Sequence, residues 1–523
     1  MLFSQVSFRV PAGRHAALVG ANGVGKSTLL KIFAGVLEAD EGDARTDGQI
    51  AYMAQDVGLG DDEQTVRELL LSVAPPALAA TGARMTAAEL ETTDPDPDRA
   101  TAAGMAFAEA IDAWSAGGGY QLEGAWDAAC RRVLGLGLSE VAERTAASLS
   151  GGERKGLVLD LLLAGDAPVV LLDEPDNFLD LPAKHRLEDA IRASRKTVLF
   201  VSHDRELLAR ASDMVVTLEG SGAWVHGRSY ADYPQAREDR NARLGDALKR
   251  WHEEERRLFR YFKDLKVKAR VSEVMAARAR AAETRWERFV AAGPPPPPVH
   301  DHAIRVRLNG ADSARRVLDL RAVEIPDLTA PITDEIHAGE RIGLIGPNGS
   351  GKTHLLRLLA ADPIPHRGEL VVGPRVVTGV FTQTNVRPEL ADGTLLDVVM
   401  RRLPEQARAM AALARYGLVE AHDRTHATLS GGQKARLEIL CLELEGCNLL
   451  LLDEPTDNLD VDSCEALEGA LEGFEGAIVA VSHDRAFLRR LDRFLLLAHD
   501  GSVRPYPDPG RAIDALAAGV GAR

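Results

Sequence analysis

Two stretches of this chain spell the same chemical words in the same order. Gly20-Ala-Asn22-Gly23-Val-Gly25-Lys26-Ser27 is matched by Gly346-Pro-Asn348-Gly349-Ser-Gly351-Lys352-Thr353. Glycines at those intervals let backbone N–H groups converge on phosphate at a helix N-terminus, the lysine adds a point charge, and the Ser or Thr hydroxyl suits Mg²⁺. Thr28 and His354 come next and belong to the same cradle. Leu149-Ser150-Gly151-Gly152 recurs as Leu429-Ser430-Gly431-Gly432. Each opens a helix, so its N–H groups form a second anion site.

The carboxylates follow. Asp173-Glu174 and Asp453-Glu454 each close an apolar run. The aspartate suits a contact to Mg²⁺, and the glutamate suits a general base that orients water for in-line attack on a γ-phosphate. His203 and His483, within Val-Ser-His-Asp, end further apolar runs and are placed to touch that phosphate. Gln55 and Gln383 follow short strand-like segments, where a glutamine can sense the metal or the attacking water.

The intervals agree as well as the words. Leu149 to Asp173 and Leu429 to Asp453 are both 24 residues; Asp173 to His203 and Asp453 to His483 are both 30. One interval differs, with Gln55 lying 94 residues before Leu149 and Gln383 only 46 before Leu429. The first copy therefore carries an insertion, expected over residues 73–128. The elements needed to hold these words are apolar strands, buried on both faces as in a parallel sheet, each leading into a loop and a helix. The repeat places one domain at 1–230 and another at 303–523, with 231–302 belonging to neither.

Composition is that of a globular protein, 45% hydrophobic and 27% charged. The net charge of −16 excludes a chain that coats nucleic acid with its whole surface. No run approaches the roughly 18 to 20 apolar residues of a membrane span, so no membrane insertion is expected. Residues 1–9 alternate like a strand and not like a secretory leader, which points to the cytoplasm. Cys130, Cys441, Cys447 and Cys464 lack paired spacing and read as reduced, buried thiols.

The average charge hides a contrast. Residues 235–292 hold 16 basic and 10 acidic residues, a net of +6, against −22 elsewhere. Arg256, Arg257, Arg260, Lys263, Lys266, Lys268 and Arg270 fall within 15 positions that include one acid, Asp264. After Pro234 no proline interrupts before Pro294, so long helices are expected. Trp251, Leu258, Phe262 and Leu265 share one helical stripe, and Val271, Met275, Ala282, Trp286 and Phe289 another. This predicts an antiparallel hairpin turning near 268–273, with a proline spacer at 294–298. Its basic tip suits RNA phosphate, with Tyr261 and Phe262 available to stack or to pack. The insertion is the opposite: residues 74–128 carry nine carboxylates and two arginines.

The phosphate loop, the glutamine, Leu-Ser-Gly-Gly, Leu-Leu-Asp-Glu-Pro and the histidine, all doubled, resemble the ATP-binding cassette superfamily. The resemblance implies an α/β fold of two tandem P-loop cassettes, each a mixed sheet with flanking helices and a helical subdomain, joined by an α-helical hairpin linker. It implies an ATPase using ATP and Mg²⁺, whose cassettes close head to tail within one monomer. One composite site would combine Lys26, Ser27, Gln55, Asp173, Glu174 and His203 with Ser430 and Gly432. The other would combine Lys352, Thr353, Gln383, Asp453, Glu454 and His483 with Ser150 and Gly152. The family usually sets an aromatic residue some two dozen positions before the phosphate-loop lysine. Those places hold the start of this chain and the Asp327-Leu328 region, so either base selectivity is loose or the native chain begins upstream of Met1.

Two fused cassettes without membrane helices further resemble the ABC-F type, which acts on ribosomes as translation factors or antibiotic-resistance proteins. That implies rRNA and tRNA as partners of the basic linker. The acidic insertion sits where the type carries its arm and suits a basic ribosomal protein. The alternative is the ATP-binding subunit of an exporter working with a separate membrane protein.

Overall fold

The apolar runs that end in chemical words form the parallel strands of two sheets. The computed structural model describes residues 2–46, 48–55, 63–93, 96–219, 222–269, 273–298, 315–381, 390, 393–429, 431–457, 459–498 and 500–517. The first copy supplies β1 (His15–Val19), β2 (Ile50–Met53), β3 (Val169–Asp173), β4 (Thr197–Val201), β5 (Met214–Glu219) and β6 (Gly222–His226). Their order is β2-β3-β4-β1-β5-β6, parallel throughout except for β6 on β5. The second copy supplies β7 (Arg316–Glu324), β8 (Ile332–His337), β9 (Arg341–Ile345), β10 (Arg367–Val372), β11 (Thr378–Phe381), β12 (Leu449–Asp453), β13 (Ala477–Val481), β14 (Arg493–Leu497) and β15 (Val503–Tyr506). There β11-β12-β13-β9-β14-β15 repeats the first order strand for strand.

Register does the positioning. Asp173 pairs with Val201 and Asp453 with Val481, so each Asp-Glu pair emerges beside the Ser-His-Asp that follows the neighbouring strand. The loops that carry chemistry thus leave the carboxyl ends of adjacent parallel strands, where open α/β sheets bind ligands. Burial of β1, β12 and β13 along their whole length accounts for their apolar runs, Ala16–Val19, Leu449–Leu452 and Ala477–Val481.

A second, antiparallel sheet of order β10-β7-β8 belongs to the second copy. Of residues 1–9, expected to alternate like a strand, the described residues 2–9 form no strand. Counting from the two phosphate loops, residues 6–11 match β8. The alternation has another cause: Phe3, Val6, Phe8 and Val10 pack against the core of the first sheet.

The insertion folds as helices Pro76–Glu91 and Pro97–Ala116, followed by Gly119–Leu134. The expected end of the insertion, residue 128, falls inside that last helix. Trp114 and Trp126, both fully buried with ring centroids 6.0 Å apart, join it to Val66, Leu70, Cys130, Leu149 and Leu157 in one apolar cluster. The four cysteines are buried and none is in a disulfide, as expected.

By packing, residues Met1–Tyr230 with Ala303–Arg523 form one body and Ala231–His302 a second. The second contains helices Tyr233–Lys268 and Glu273–Ala291. Trp251 stacks on Phe289 at 5.2 Å and 19°, and Phe262 on Trp286 at 6.1 Å and 9°, the antiparallel pairing the two stripes predict. Val271 and Arg270 lie outside the described residues. Among the described residues no helix is long and apolar enough to cross a membrane.

Candidate active site

Both phosphate loops enter their helices through a left-handed glycine: Gly25 (φ 103°) caps Lys26–Phe33 and Gly351 (φ 90°) caps Lys352–Leu359. Lys26 Nζ donates to the carbonyls of Gly20 (2.8 Å) and Ala21 (3.3 Å) and to Asn22 Oδ1 (3.4 Å). Lys352 Nζ donates to the carbonyls of Gly346 and Pro347, both at 2.9 Å. Each ammonium is thereby folded into the curve of its own loop. Burial lowers both lysine pKa values, against the pull of Glu174 on one and Glu454 on the other.

Behind each loop stands its aspartate. Ser27 Oγ donates to Asp173 Oδ1 at 3.1 Å, and the Thr353 side chain bonds Asp453. Asp173 Oδ2 is buried with no hydrogen-bond partner among the described residues. Burial raises the pKa of both aspartates. A hydroxyl and a buried carboxylate oxygen with a lone pair to offer make an all-oxygen set that fits Mg²⁺, which uses one or two carboxylates plus substrate phosphates.

The glutamates are held in backbone of the same unusual kind. Glu174 has φ 49° and Glu454 φ 47°, left-handed geometry that costs a non-glycine residue about 1 kcal/mol or more. Each N–H is fixed by the strand next door, Glu174 to the Val201 carbonyl (3.0 Å) and Glu454 to that of Val481 (2.9 Å). The Glu174 carboxylate accepts from Gln55 Nε2 and Asn177 Nδ2, both at 2.6 Å, and lies 3.7 Å from His203 Nε2. The Glu454 carboxylate accepts from the His483 N–H (3.0 Å) and lies 3.6 Å from His483 Nε2. Burial and the adjacent Asp176 raise the pKa of Glu174; burial and Asp457 push Glu454 up to about 8. Burial, with Lys26 nearby, lowers His203 to about 3, and His483 falls well below its usual range for the same reason. Two imidazoles whose pKa values burial lowers therefore lie beside two carboxyls whose proton affinity burial raises, a setting that suits taking a proton from water.

The two cassettes face each other. A cleft of about 510 Å³ is lined by Ser150, Gly151 and Gly152 of the first copy and by Asn348, Gly349, Gly351, Lys352, Thr353, His354, Glu454 and His483 of the second. Asn348 Nδ2 donates to the Phe178 carbonyl across the divide at 3.0 Å. Gly152 is needed there, since a Cβ would stand 2.9 Å from that same carbonyl. Ser150 also caps the helix Gly151–Ala164, accepting from the Glu153 N–H at 3.2 Å. On the opposite side the Asn22 N–H of the first phosphate loop donates to Asp460 Oδ2 of the second copy at 3.4 Å. Of the residues assigned to that side, Gln383 and Ser430 lie outside the described residues, and Gly432 is described as the second residue of helix Gly431–Glu445.

Several residues of this site went unread in the sequence. Arg205 and Arg485 extend both Val-Ser-His-Asp words by one matching residue, and each crosses to the other cassette. Arg485 pairs with Glu188 and Arg205 with Glu468, and these glutamates are themselves equivalent, each lying eight residues after Asp180 or Asp460. Asn177 and Lys155, whose Nζ donates to the Glu174 carbonyl at 2.8 Å, act on the glutamate from within the first copy. Phe3 packs on the first phosphate loop, where a Cβ on Gly25 would lie 2.8 Å from its ring; Leu328 has that place beside Gly351. Phe3 stands 23 residues before Lys26, so its spacing was the signal, and the first copy does carry an aromatic there.

In the helical hairpin the basic side chains Arg256, Arg257, Arg260, Lys263, Lys266 and Lys268 are exposed. Phe262 is spent on packing, whereas Tyr261 is 57% exposed. Lys263 and Lys266 ride over the rings of Phe259 and Phe262 at 5.2 and 4.9 Å, and Lys266 also lies 3.6 Å from Glu283.

Comparison with known proteins agrees with this architecture. The family model described as ABC transporter matches residues 3–177 and 330–457. An antibiotic resistance protein of Mycobacteroides abscessus is 42% identical, covering 97% of this chain and 96% of its own. The tylosin resistance ATP-binding protein TlrC of Streptomyces fradiae is 34% identical over 96% of this chain and 95% of its own. Among solved structures, an archaeal ribosome recycling factor, aABCE1, in complex with the stalk protein aP1 shares the fold with a TM-score of 0.58 at 20% identity, over 97% of this chain and 90% of that one.

Proposed function

Because the chain belongs to the ATP-binding cassette family, in its tandem ABC-F branch, and hydrolyses ATP, we propose that it uses ATP to clamp onto the ribosome and protect it from an antibiotic. The observation that carries this reading is the separate helical body whose residues lie between the two cassettes in the sequence, with a net charge of +6 over residues 235–292 in a chain of net −16. The resistance names of the two relatives favour protection over a housekeeping step in translation.

In this reading ATP lies between the phosphate loop of one cassette and the Ser-Gly-Gly helix N-terminus of the other. Lys352 turns from its loop carbonyls to the phosphates, and the N–H groups following Ser150 complete the anion site from across the cleft. Neither half is complete until the cassettes meet, so binding and closure are one event. Glu454 and Glu174, with proton affinity raised by burial, take a proton from water aligned on the γ-phosphate, while His483 and His203 contact that phosphate. Ser27 with Asp173 and Thr353 with Asp453 would hold Mg²⁺, which would neutralise phosphate charge, with Gln55 and Gln383 as the residues that would sense it.

Closure presents the basic hairpin to rRNA and tRNA phosphate, and hydrolysis releases it. The acidic helices of residues 76–116 face a basic ribosomal protein. The protein works as a monomer, its two cassettes supplying each other's missing parts.

Two experiments test this together. Expression in a sensitive host should raise the inhibitory concentration of one class among macrolides, lincosamides, pleuromutilins and phenicols. Replacing Arg256, Arg257, Arg260, Lys263 and Lys266 with glutamate should abolish both that protection and ribosome binding while leaving basal ATP hydrolysis in place. Protection by the charge-reversed protein would refute the role given to the hairpin.

A further inference from the structure

Lys184 breaks the equivalence of the two halves. It stands four residues after Asp180, the cap of helix Leu181–Ala193; four residues after Asp460, the cap of helix Val461–Glu472, stands Cys464. The Lys184 ammonium lies 3.1 Å from Asp204 Oδ2 in its own cassette and donates to the His483 carbonyl of the other at 3.2 Å. Its side chain is 11% exposed and lines the cleft. Cys464 does not reach across. Its thiol turns to its own loop, toward the carbonyls of Thr456 (3.6 Å) and Leu459 (4.0 Å).

The carbonyl that Lys184 holds belongs to the residue whose N–H holds Glu454 Oε2. The His483 backbone is therefore pinned at both ends, to the glutamate of its own cassette and to the lysine of the other. A charge-assisted bond is about twice as strong as a neutral one. Burial works against that charge, but Asp204, Asp176, Asp457 and Asp484 around the ammonium outweigh it and keep the lysine protonated. In the first site the glutamate is steadied differently, by Gln55 and Asn177 from its own cassette.

We propose that Lys184 is a positioning residue for hydrolysis at the second site, delivered across the interface only when the cassettes close, and that Cys464 leaves the first site without its equivalent. The two sites then turn over at unequal rates and answer differently to the same lesion. This rests on the reading of two hydrolytic sites given above.

The test is single-turnover ATP hydrolysis in two backgrounds, Glu174→Gln to isolate the second site and Glu454→Gln to isolate the first. Lys184→Met should slow the rate at saturating ATP about tenfold in the Glu174→Gln background, with half-saturating ATP within about twofold, and leave the Glu454→Gln background unchanged. Lys184→Arg, still a cationic donor, should recover part of the loss. Should Lys184→Met be insoluble, Lys184→Gln makes the same comparison with a neutral donor. Equal losses in both backgrounds, or no loss at the second site, would overturn the proposal and leave the two-site reading intact. Hydrolysis surviving in the double Glu174→Gln/Glu454→Gln protein would overturn that reading, and the proposal with it.

Discussion

Replacing Arg485 should uncouple the cassettes more than any other single change at their interface. Its guanidinium and the Glu188 carboxylate are 3% and 2% exposed, on opposite cassettes, and Asp204 lies 3.7 Å away. Open cassettes would return both groups to water, so the pair matters only to the closed state. Arg485→Ala strands a buried carboxylate, which costs about 3–5 kcal/mol where nothing replaces the lost partner. Here Arg210, half exposed and 3.4 Å from Glu188, and His185 at 3.6 Å soften the loss. The low end, about 3 kcal/mol, is therefore expected, and it corresponds to roughly a 100-fold fall in the closing equilibrium. Fluorophores on exposed positions of each cassette, in the Glu174→Gln/Glu454→Gln background so that ATP is not consumed, report closure during an ATP titration. The midpoint should move to much higher ATP with Arg485→Ala. Glu188→Leu combined with Arg485→Met should lose less than the sum of the two single changes, because the orphaned charge is gone. Strict additivity, or an unmoved midpoint, would refute the view that this pair holds the closed form.

Other outcomes follow from single contacts. Gly152→Val places a branched side chain where a Cβ already stands 2.9 Å from the Phe178 carbonyl, so ATP turnover at the second site should fall at least about tenfold with thermal stability little changed. Glu174→Gln with Glu454→Gln should retain nucleotide binding and lose phosphate release; undiminished release would remove both residues from catalysis. Trp286→Ala removes the ring that packs on Phe259 and Phe262, and should lower hairpin stability by about 3 kcal/mol, read by hydrogen exchange of residues 251–289. Unchanged protection there would mean that the aromatic stack does not hold the hairpin.

Much of the fold was legible because parallel strands buried on both faces must be apolar throughout, and the words that follow them repeat at equal intervals. The hairpin was legible for a related reason: its aromatic residues fall on helical stripes that need each other. What escaped had no local signature. The ion pairs Arg205–Glu468 and Arg485–Glu188 join residues far apart in the chain, and only the twofold relation of the cassettes brings them together. The strand expected at residues 1–9 failed because alternation records burial of one face, not a partner for the ladder. Phe3 is marked only by its spacing of 23 residues before Lys26. Lys184 gave no signal at all, since a lone lysine after an aspartate cap normally reads as solvated surface.

The most direct measurement is co-sedimentation of the Glu174→Gln/Glu454→Gln protein with ribosomes. With ATP it should pellet with them near one per ribosome; with ADP, or with Arg256, Arg257, Arg260, Lys263 and Lys266 changed to glutamate, it should stay in the supernatant. A protein that stays in the supernatant with ATP, or that pellets whatever the nucleotide and whatever the charge of the hairpin, would contradict an ATP-driven clamp that grips through this basic probe.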